Sequence, residues 1–279
     1  MSKLRNELLQ EMQYRNYSPR TIGSYLSCLS KLSIHFDQCP SKISIDQIKS
    51  YLHYYVSKKK ASTSFVNQTI SVLKLLHVSI LKREWDPMTI ARPRREKRLP
   101  VVLSREEISQ MLAATYNLKH RSILMLAYSS GLRIGEVINL KLQDIDSNRM
   151  QVRISMGKGK KDRYTILSGS TLKLLRQYYT YYQPRHWLFE GPMFKQYSTS
   201  SIQKIFKRSC KKINLNKAVY FHCLRHSFAT HLLEQGVSIQ ILQHLLGHSN
   251  PKTTCVYLHV QQYSLDKVTS PLDYQIVKD

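Results

Sequence analysis

Apolar residues recur at helical spacing through about the first ninety positions. Leu4, Leu8 and Met12 form one stripe, and Ile22, Tyr25, Leu26, Leu29, Leu32 and Phe36 form a second. Ser18-Pro19 supplies an N-cap and a first helical residue for the second stripe, and Cys39-Pro40 ends it. Ser44 caps a third helix with Ile45, Ile48, Leu52 and Tyr55 on one side, and a fourth is predicted over 62–81. The pattern therefore predicts a four-helix domain over residues 1–90.

The periodicity then breaks. Residues 91–100, ARPRREKRLP, hold two prolines and five basic side chains, so the segment stays extended and strongly charged. It reads as a linker, either free in solvent or lying along a polyanion. Ser104 and Glu107 form a capping box that starts a new helix, and an apolar helix follows over 122–129, up to the turn at Gly131. Residues 150–167 change period: MQVRISM and RYTIL are β-prone and flank the basic turn GKGKKD, which predicts a hairpin. A helix over 201–213 carries Lys204, Lys207, Arg208, Lys211 and Lys212 on one side and Ile202, Ile205, Phe206 and Ile213 on the other.

Charge sharpens this picture. The 279-residue chain has 43 Lys and Arg against 18 Asp and Glu, a formal net charge of +25. Such an excess points to a polyanion, with nucleic acid ahead of an anionic membrane surface. No apolar run approaches a membrane span, and the N-terminus is charged where a leader peptide is apolar. Five cysteines with no CxxC pair read as small buried thiols in a reducing compartment, so a soluble cytoplasmic, nucleoid-associated protein is expected.

The C-terminal third gathers the side chains that phosphodiester chemistry needs. FHCLRHSFATH and LLGHSNPKTTCVY hold His222, Arg225, His248 and Tyr257. Arginine offers a planar fork to phosphate oxygens, histidine moves protons near neutral pH, and tyrosine can attack phosphorus. Each has a plainer reading, because the chain has 18 tyrosines and isolated histidines are usually structural. His222 and His226, four apart, could pair on a metal, but no HExxH glutamate or cysteine pair accompanies them. Neither a P-loop nor an acyl-transfer SxxK set is completed by GKGKK or Ser155-x-x-Lys158.

On these residues the chain resembles the tyrosine recombinase (phage integrase) family, and its compact Xer-like members in particular. GLRIGEVINL is similar to the segment of the first catalytic arginine, here Arg133, and GKGKKDR to the hairpin of the catalytic lysine, here Lys158. HCLRH is similar to the HxLRH box, giving His222 and Arg225. LLGHSNPKTTCVY is similar to the box that holds the last histidine and the nucleophile, giving His248 and Tyr257; Leu258 stands where threonine is usual.

The resemblance implies a mainly α fold with a small β-sheet or hairpin, arranged as a two-domain DNA clamp. A helical core-binding (SAM-like) domain over 1–90 and a basic linker over 91–100 would precede a mixed α+β catalytic domain over 101–279. A tail from about 264 would either dock on a neighbouring protomer or pack locally. The implied reaction is site-specific cleavage and rejoining of duplex DNA through a 3′-phosphotyrosine, for integration and excision of a mobile element or for Xer-like resolution. In it Tyr257 attacks, Arg133 and Arg225 clamp the phosphate, Lys158 protonates the leaving 5′-oxygen, His222 assists proton transfer from the tyrosine and His248 hydrogen-bonds the phosphate. No metal or cofactor is expected.

The expected partner is double-stranded DNA with paired recombination sites. The protein would be a monomer or dimer when free and a homo-tetramer on synapsed DNA, with an accessory or directionality factor as a further partner and no membrane. The linker arginines Arg92, Arg94 and Arg95, the hairpin lysines Lys160 and Lys161, and Lys204, Lys207, Arg208 and Lys211 are the expected DNA contacts. A type IB topoisomerase would share the chemistry. A non-catalytic DNA-binding regulator would share the fold.

Overall fold

The structure, a computed structural model, describes residues 2–85, 90–93, 99–155 and 162–259. It is mainly helical with one three-stranded antiparallel sheet, and the chain divides into two compact units, Met1–Lys97 and Arg98–Asp279.

The first unit contains α1 (Ser2–Tyr14), α2 (Pro19–Phe36), α3 (Ile45–Ser57) and α4 (Thr63–Leu75). Local chemistry sets their starts. Ser18 Oγ accepts the Thr21 N–H, and Ser44 and Gln47 complete a capping box. Asp37, with φ of +48°, closes α2 in the left-handed region. The apolar stripes meet in one core, with Leu8, Met12, Leu32, Ile48, Tyr51, Ile70, Leu73 and Leu76 buried. The fourth helix does not continue as α to residue 81. Leu76–Ile80 is a π turn, in which the Leu81 N–H reaches back to the Leu76 carbonyl. Beside the shift, His77 Nδ1 lies 2.9 Å from the Leu73 carbonyl, inserted into the ladder.

The second unit opens with α5 (Arg105–Ala113), capped by the Ser104–Glu107 box, then α6 (Leu118–Ser129) and α7 (Ile134–Asn139). Helix α6 begins four residues earlier than its apolar pattern suggests, because Asn117 caps a polar first turn by accepting the His120 N–H. The sheet is β1 (Ile145–Asp146), β2 (Gln151–Ile154) and β3 (Arg163–Ile166), all antiparallel, with Val152 opposite Thr165 and Ile154 opposite Arg163. Two-residue β1 is too short for its period to be read in the sequence. Then come α8 (Gly169–Tyr182), α9 (Thr199–Lys212), α10 (Cys223–Glu234), α11 (Ile239–Leu246), α12 (Lys252–Cys255) and a 3-10 turn, Val256–His259.

Helix α6 lies centrally, touching α8, α9 and α10, and Ile123, Leu124, Leu126 and Ala127 are fully buried. A smaller apolar cluster joins Phe228, Ala229 and Leu233 of α10 to Leu242 and Leu246 of α11, and Tyr257 belongs to it. Gly131, at φ of +62°, makes the turn after α6, where any Cβ would run into the Phe228 ring. The five cysteines are free thiols. No described helix is long and apolar enough to cross a membrane.

Candidate active site

Strand β3 places a guanidinium where a strand normally puts an apolar side chain. Arg163 and Thr165 face inward while Tyr164 and Ile166 are exposed. A buried cation needs a partner, and Glu136 on α7 supplies it. Arg163 Nη1 and Nη2 donate to the two Glu136 oxygens at 2.8 and 2.7 Å. Arg163 Nε donates to the Leu245 carbonyl at 2.9 Å. The side chain passes Gly247, at φ of +61°, where a Cβ would collide with it. Strand β3, α7 and the end of α11 are thus tied through one ion pair.

Glu136 also organises the turn before it. Arg133 is the N-cap of α7; its backbone N–H donates to Glu136 Oε2 at 2.8 Å and its Nη1 to Oε1 at 2.7 Å. Arg225 on α10 comes within 3.8 Å of the same carboxylate. Burial pushes the Glu136 carboxyl up, but the hydrogen bonds and charge of Arg163, the Arg133 N–H and the charge of Arg225 outweigh it. The carboxyl is held down at about 2. Three guanidinium groups around one carboxylate leave a surplus of two positive charges.

Arg225 is fully buried. Its Nη1 donates to the Gly131 carbonyl at 2.7 Å, and its Nη2 to the Leu246 carbonyl and to His248 Nε2 at 3.0 Å. Its Nε has no hydrogen-bond partner among the described residues. Burial and Arg133 push Arg225 down to about 9, so it remains a cation at neutral pH. Because His248 Nε2 accepts from Arg225, Nδ1 carries the ring proton and donates it to Thr254 Oγ1 at 2.9 Å.

Tyr257 packs beside these groups and is 3% exposed. Its ring lies parallel to that of His248, with centroids 6.5 Å apart. Its hydroxyl lies 3.0 Å from Nδ1 of His226, one helix turn beyond His222. Burial raises the Tyr257 phenol, against the opposing charges of Arg225 and Arg133. Burial, the neighbouring His226 and the arginines push His222 down to about 4. Burial and Arg225 push His226 to about 4, and burial with Arg225, Arg133 and Arg163 pushes His248 to about 3. All three imidazoles are therefore neutral at pH 7. Next to them opens a cavity of about 450 Å³ lined by Arg133, Glu136, Asn139, Asp144, Ser155 and His222. Among the described residues no group of three or more His, Cys, Asp or Glu side chains is arranged to hold a metal.

Five of the six residues expected at the site, Arg133, His222, Arg225, His248 and Tyr257, lie in this one neighbourhood. Lys158 lies outside the described residues, as do Lys160, Lys161, Arg94, Arg95 and the tail from about 264. On α9, Lys204, Lys207, Arg208 and Lys211 are exposed while Ile202, Ile205 and Phe206 are buried. Arg92 is engaged within its own unit, donating to the Asn67 carbonyl and side chain and to Ser71 Oγ of α4.

Sequence reading alone passes over Glu136, Arg163 and Thr254. The only local hint of the first is its position three residues after Arg133, the spacing of a capping box. His226 shows in the sequence only as a possible metal-pair partner for His222.

The Phage integrase family matches residues 101–263, and the Phage integrase N-terminal SAM-like domain matches residues 4–87. The chain belongs to the phage integrase family of tyrosine recombinases, among its Xer-like members. It is 36% identical over 98% of its length, and 89% of the relative's, to the y4qK protein of Sinorhizobium fredii, which bears the name integrase/recombinase. It is 31% identical to the tyrosine recombinase XerD of Staphylococcus saprophyticus, covering 96% of this chain and 97% of that one. Among solved structures, XerA recombinase aligns with 26% identity and a TM-score of 0.56 over 100% of this chain and 99% of that one. A lambda integrase dimer bound to a core site shares the fold, with a TM-score of 0.76 at 18% identity over 96% and 99% of the two chains.

Proposed function

We propose that this chain is a site-specific recombinase that cuts and rejoins duplex DNA through a 3′-phosphotyrosine on Tyr257. The observation that carries the reading is a buried phenol set beside two arginines, Arg133 and Arg225, in a site with surplus positive charge. A scissile phosphodiester carries the negative charge that this surplus matches. Tyr257 Oη bonds to phosphorus as the P–O5′ bond breaks. Arg133 and Arg225 meet the charge that grows on the non-bridging oxygens, and loss of one such donor typically costs about 10²–10³ in rate. His248 Nε2 accepts from Arg225 and holds its fork in place. Lys158 protonates the 5′-oxygen. The phosphotyrosine retains the bond energy, so a 5′-hydroxyl from a second duplex can reverse the step onto a new partner without ATP.

Duplex DNA carrying paired sites is the substrate, and four copies on two synapsed duplexes complete the exchange. Residues 1–90 and 101–279 serve as the core-binding and catalytic domains. The exposed basic face of α9 contributes phosphate contacts. The biological role is integration and excision of a mobile element, or Xer-like resolution. The test uses nicked suicide duplexes tiled from the DNA flanking the coding region. The unaltered protein is expected to form a covalent adduct that Tyr257→Phe abolishes. An adduct that persists in Tyr257→Phe would sink the assignment. Strand exchange between two such duplexes, rather than relaxation of supercoils by a monomer, separates recombination from topoisomerase action.

A further inference from the structure

The phenol of a tyrosine nucleophile must lose its proton as it attacks, and three imidazoles stand near Tyr257. His248 is excluded as the acceptor because both its nitrogens are committed, Nε2 to Arg225 and Nδ1 to Thr254. His222 faces the edge of the His226 ring, centroids 4.6 Å apart at 90°, and lines the cavity with Arg133; its ring makes no hydrogen bond to Tyr257 among the described residues. His226 alone presents a ring nitrogen to the hydroxyl, Nδ1 at 3.0 Å.

We propose that His226 is the general base of the cleavage step, taking the phenolic proton of Tyr257 on Nδ1. This rests on the reading of Tyr257 as the nucleophile. The groups around His226 fix its tautomer. Tyr257 comes from the C-terminal 3-10 turn, Tyr220 from the segment before α10, and His222 and Arg225 from the start of α10 itself. A buried, protonated phenol donates to Nδ1. Nε2 then carries the ring proton and points it at the Tyr220 hydroxyl, 3.5 Å away. The lone pair is thus already aimed at the proton to be moved.

In the step, the Oη–P bond forms, the P–O5′ bond breaks, His226 becomes imidazolium, and the 5′-oxygen takes its proton from the acid assigned to Lys158. In rejoining, the imidazolium returns its proton to the departing Tyr257 oxygen. Burial and Arg225 keep His226 neutral at pH 7. The phosphate brings negative charge among the arginines and raises the ring's proton affinity when the proton must move.

Single-turnover cleavage of the suicide duplex, followed against pH, tests this. His226→Asn keeps a polar atom near the Nδ1 position but cannot hold a proton, and His226→Gln is a second non-basic variant should the first fold poorly. Both are expected to bind the duplex as the unaltered protein does and to cleave about 10²–10⁴-fold more slowly at neutral pH. Their rate should climb with hydroxide concentration where that of the unaltered protein levels off. A duplex with a 5′-bridging sulfur, whose thiolate leaves without an acid, should not restore the His226 variants but should restore Lys158→Ala.

Cleavage at the unaltered rate, or a slower rate with the unaltered pH profile, would overturn the assignment of His226 while leaving the recombinase reading intact. Failure of the unaltered protein to form any Tyr257-dependent adduct on these duplexes would overturn both.

Discussion

The two units solve the problem of a stable interior differently. The N-terminal unit buries leucine, isoleucine, valine and aromatic rings, and its buried polar residues Asn67, Thr69 and His77 bond mostly to carbonyls one turn back on α4. The C-terminal unit buries Arg225, Arg163 and Glu136 at its centre, joined by ion pairs between elements far apart in sequence. An apolar core is tolerant, because removing one side chain leaves a cavity and nothing charged. A buried ion cluster is brittle: removing one partner strands the others. The brittle arrangement holds the positive charge that the proposed phosphate chemistry would use, whereas the first unit carries no such buried charge cluster among its described residues.

The largest effect that separates the two is expected from Glu136→Ala. Leaving Arg163 uncompensated should destabilise the C-terminal unit by about 3–5 kcal/mol, read as lost amide-exchange protection in residues of that unit alone. Equal loss in both units would break the comparison. An acid titration should come next. The folded Glu136 carboxyl is held at about 2 against an ordinary 4.5. Its contribution is therefore complete above pH 4.5 and is lost as pH falls through about 2. It amounts to about 3 kcal/mol. Exchange followed across that window should show the C-terminal unit opening first, and Glu136→Gln should remove most of the dependence.

A smaller change sharpens the N-terminal half. Ser44→Ala removes a capping box and should cost about 1 kcal/mol, with no pH dependence in the same exchange experiment. Smallest of all, Lys207→Ala on α9 should leave stability unchanged and reduce the slope of log binding against log salt by about 1. An unchanged slope would remove α9 from the DNA surface.

Much of the helical frame is legible because its determinants are local. Ser18, Ser44 and Ser104 mark helix starts, and the stripes around Leu8, Leu32 and Ile48 mark the faces that become core. The π turn after Leu75 is not legible, since its LLHVSI text keeps helical spacing. Neither is β1, which is held only by its pairing with β2. In the site, the motif residues are visible as types at spacings. Arg163, by contrast, reads as one more cation in a basic hairpin until β3 turns it inward onto Glu136.

Composition, helical period and motif spacing are properties of the chain as written, so the mainly helical fold, the strongly basic character and the constellation resembling a tyrosine recombinase are all readable from it. Which cations share a carboxylate and which histidine meets Tyr257 follow from packing between distant elements. His222 and His226 are one helix turn apart and both stand in HCLRH. Packing of the C-terminal turn against α10, across 31 positions, puts the tyrosine hydroxyl on one of them.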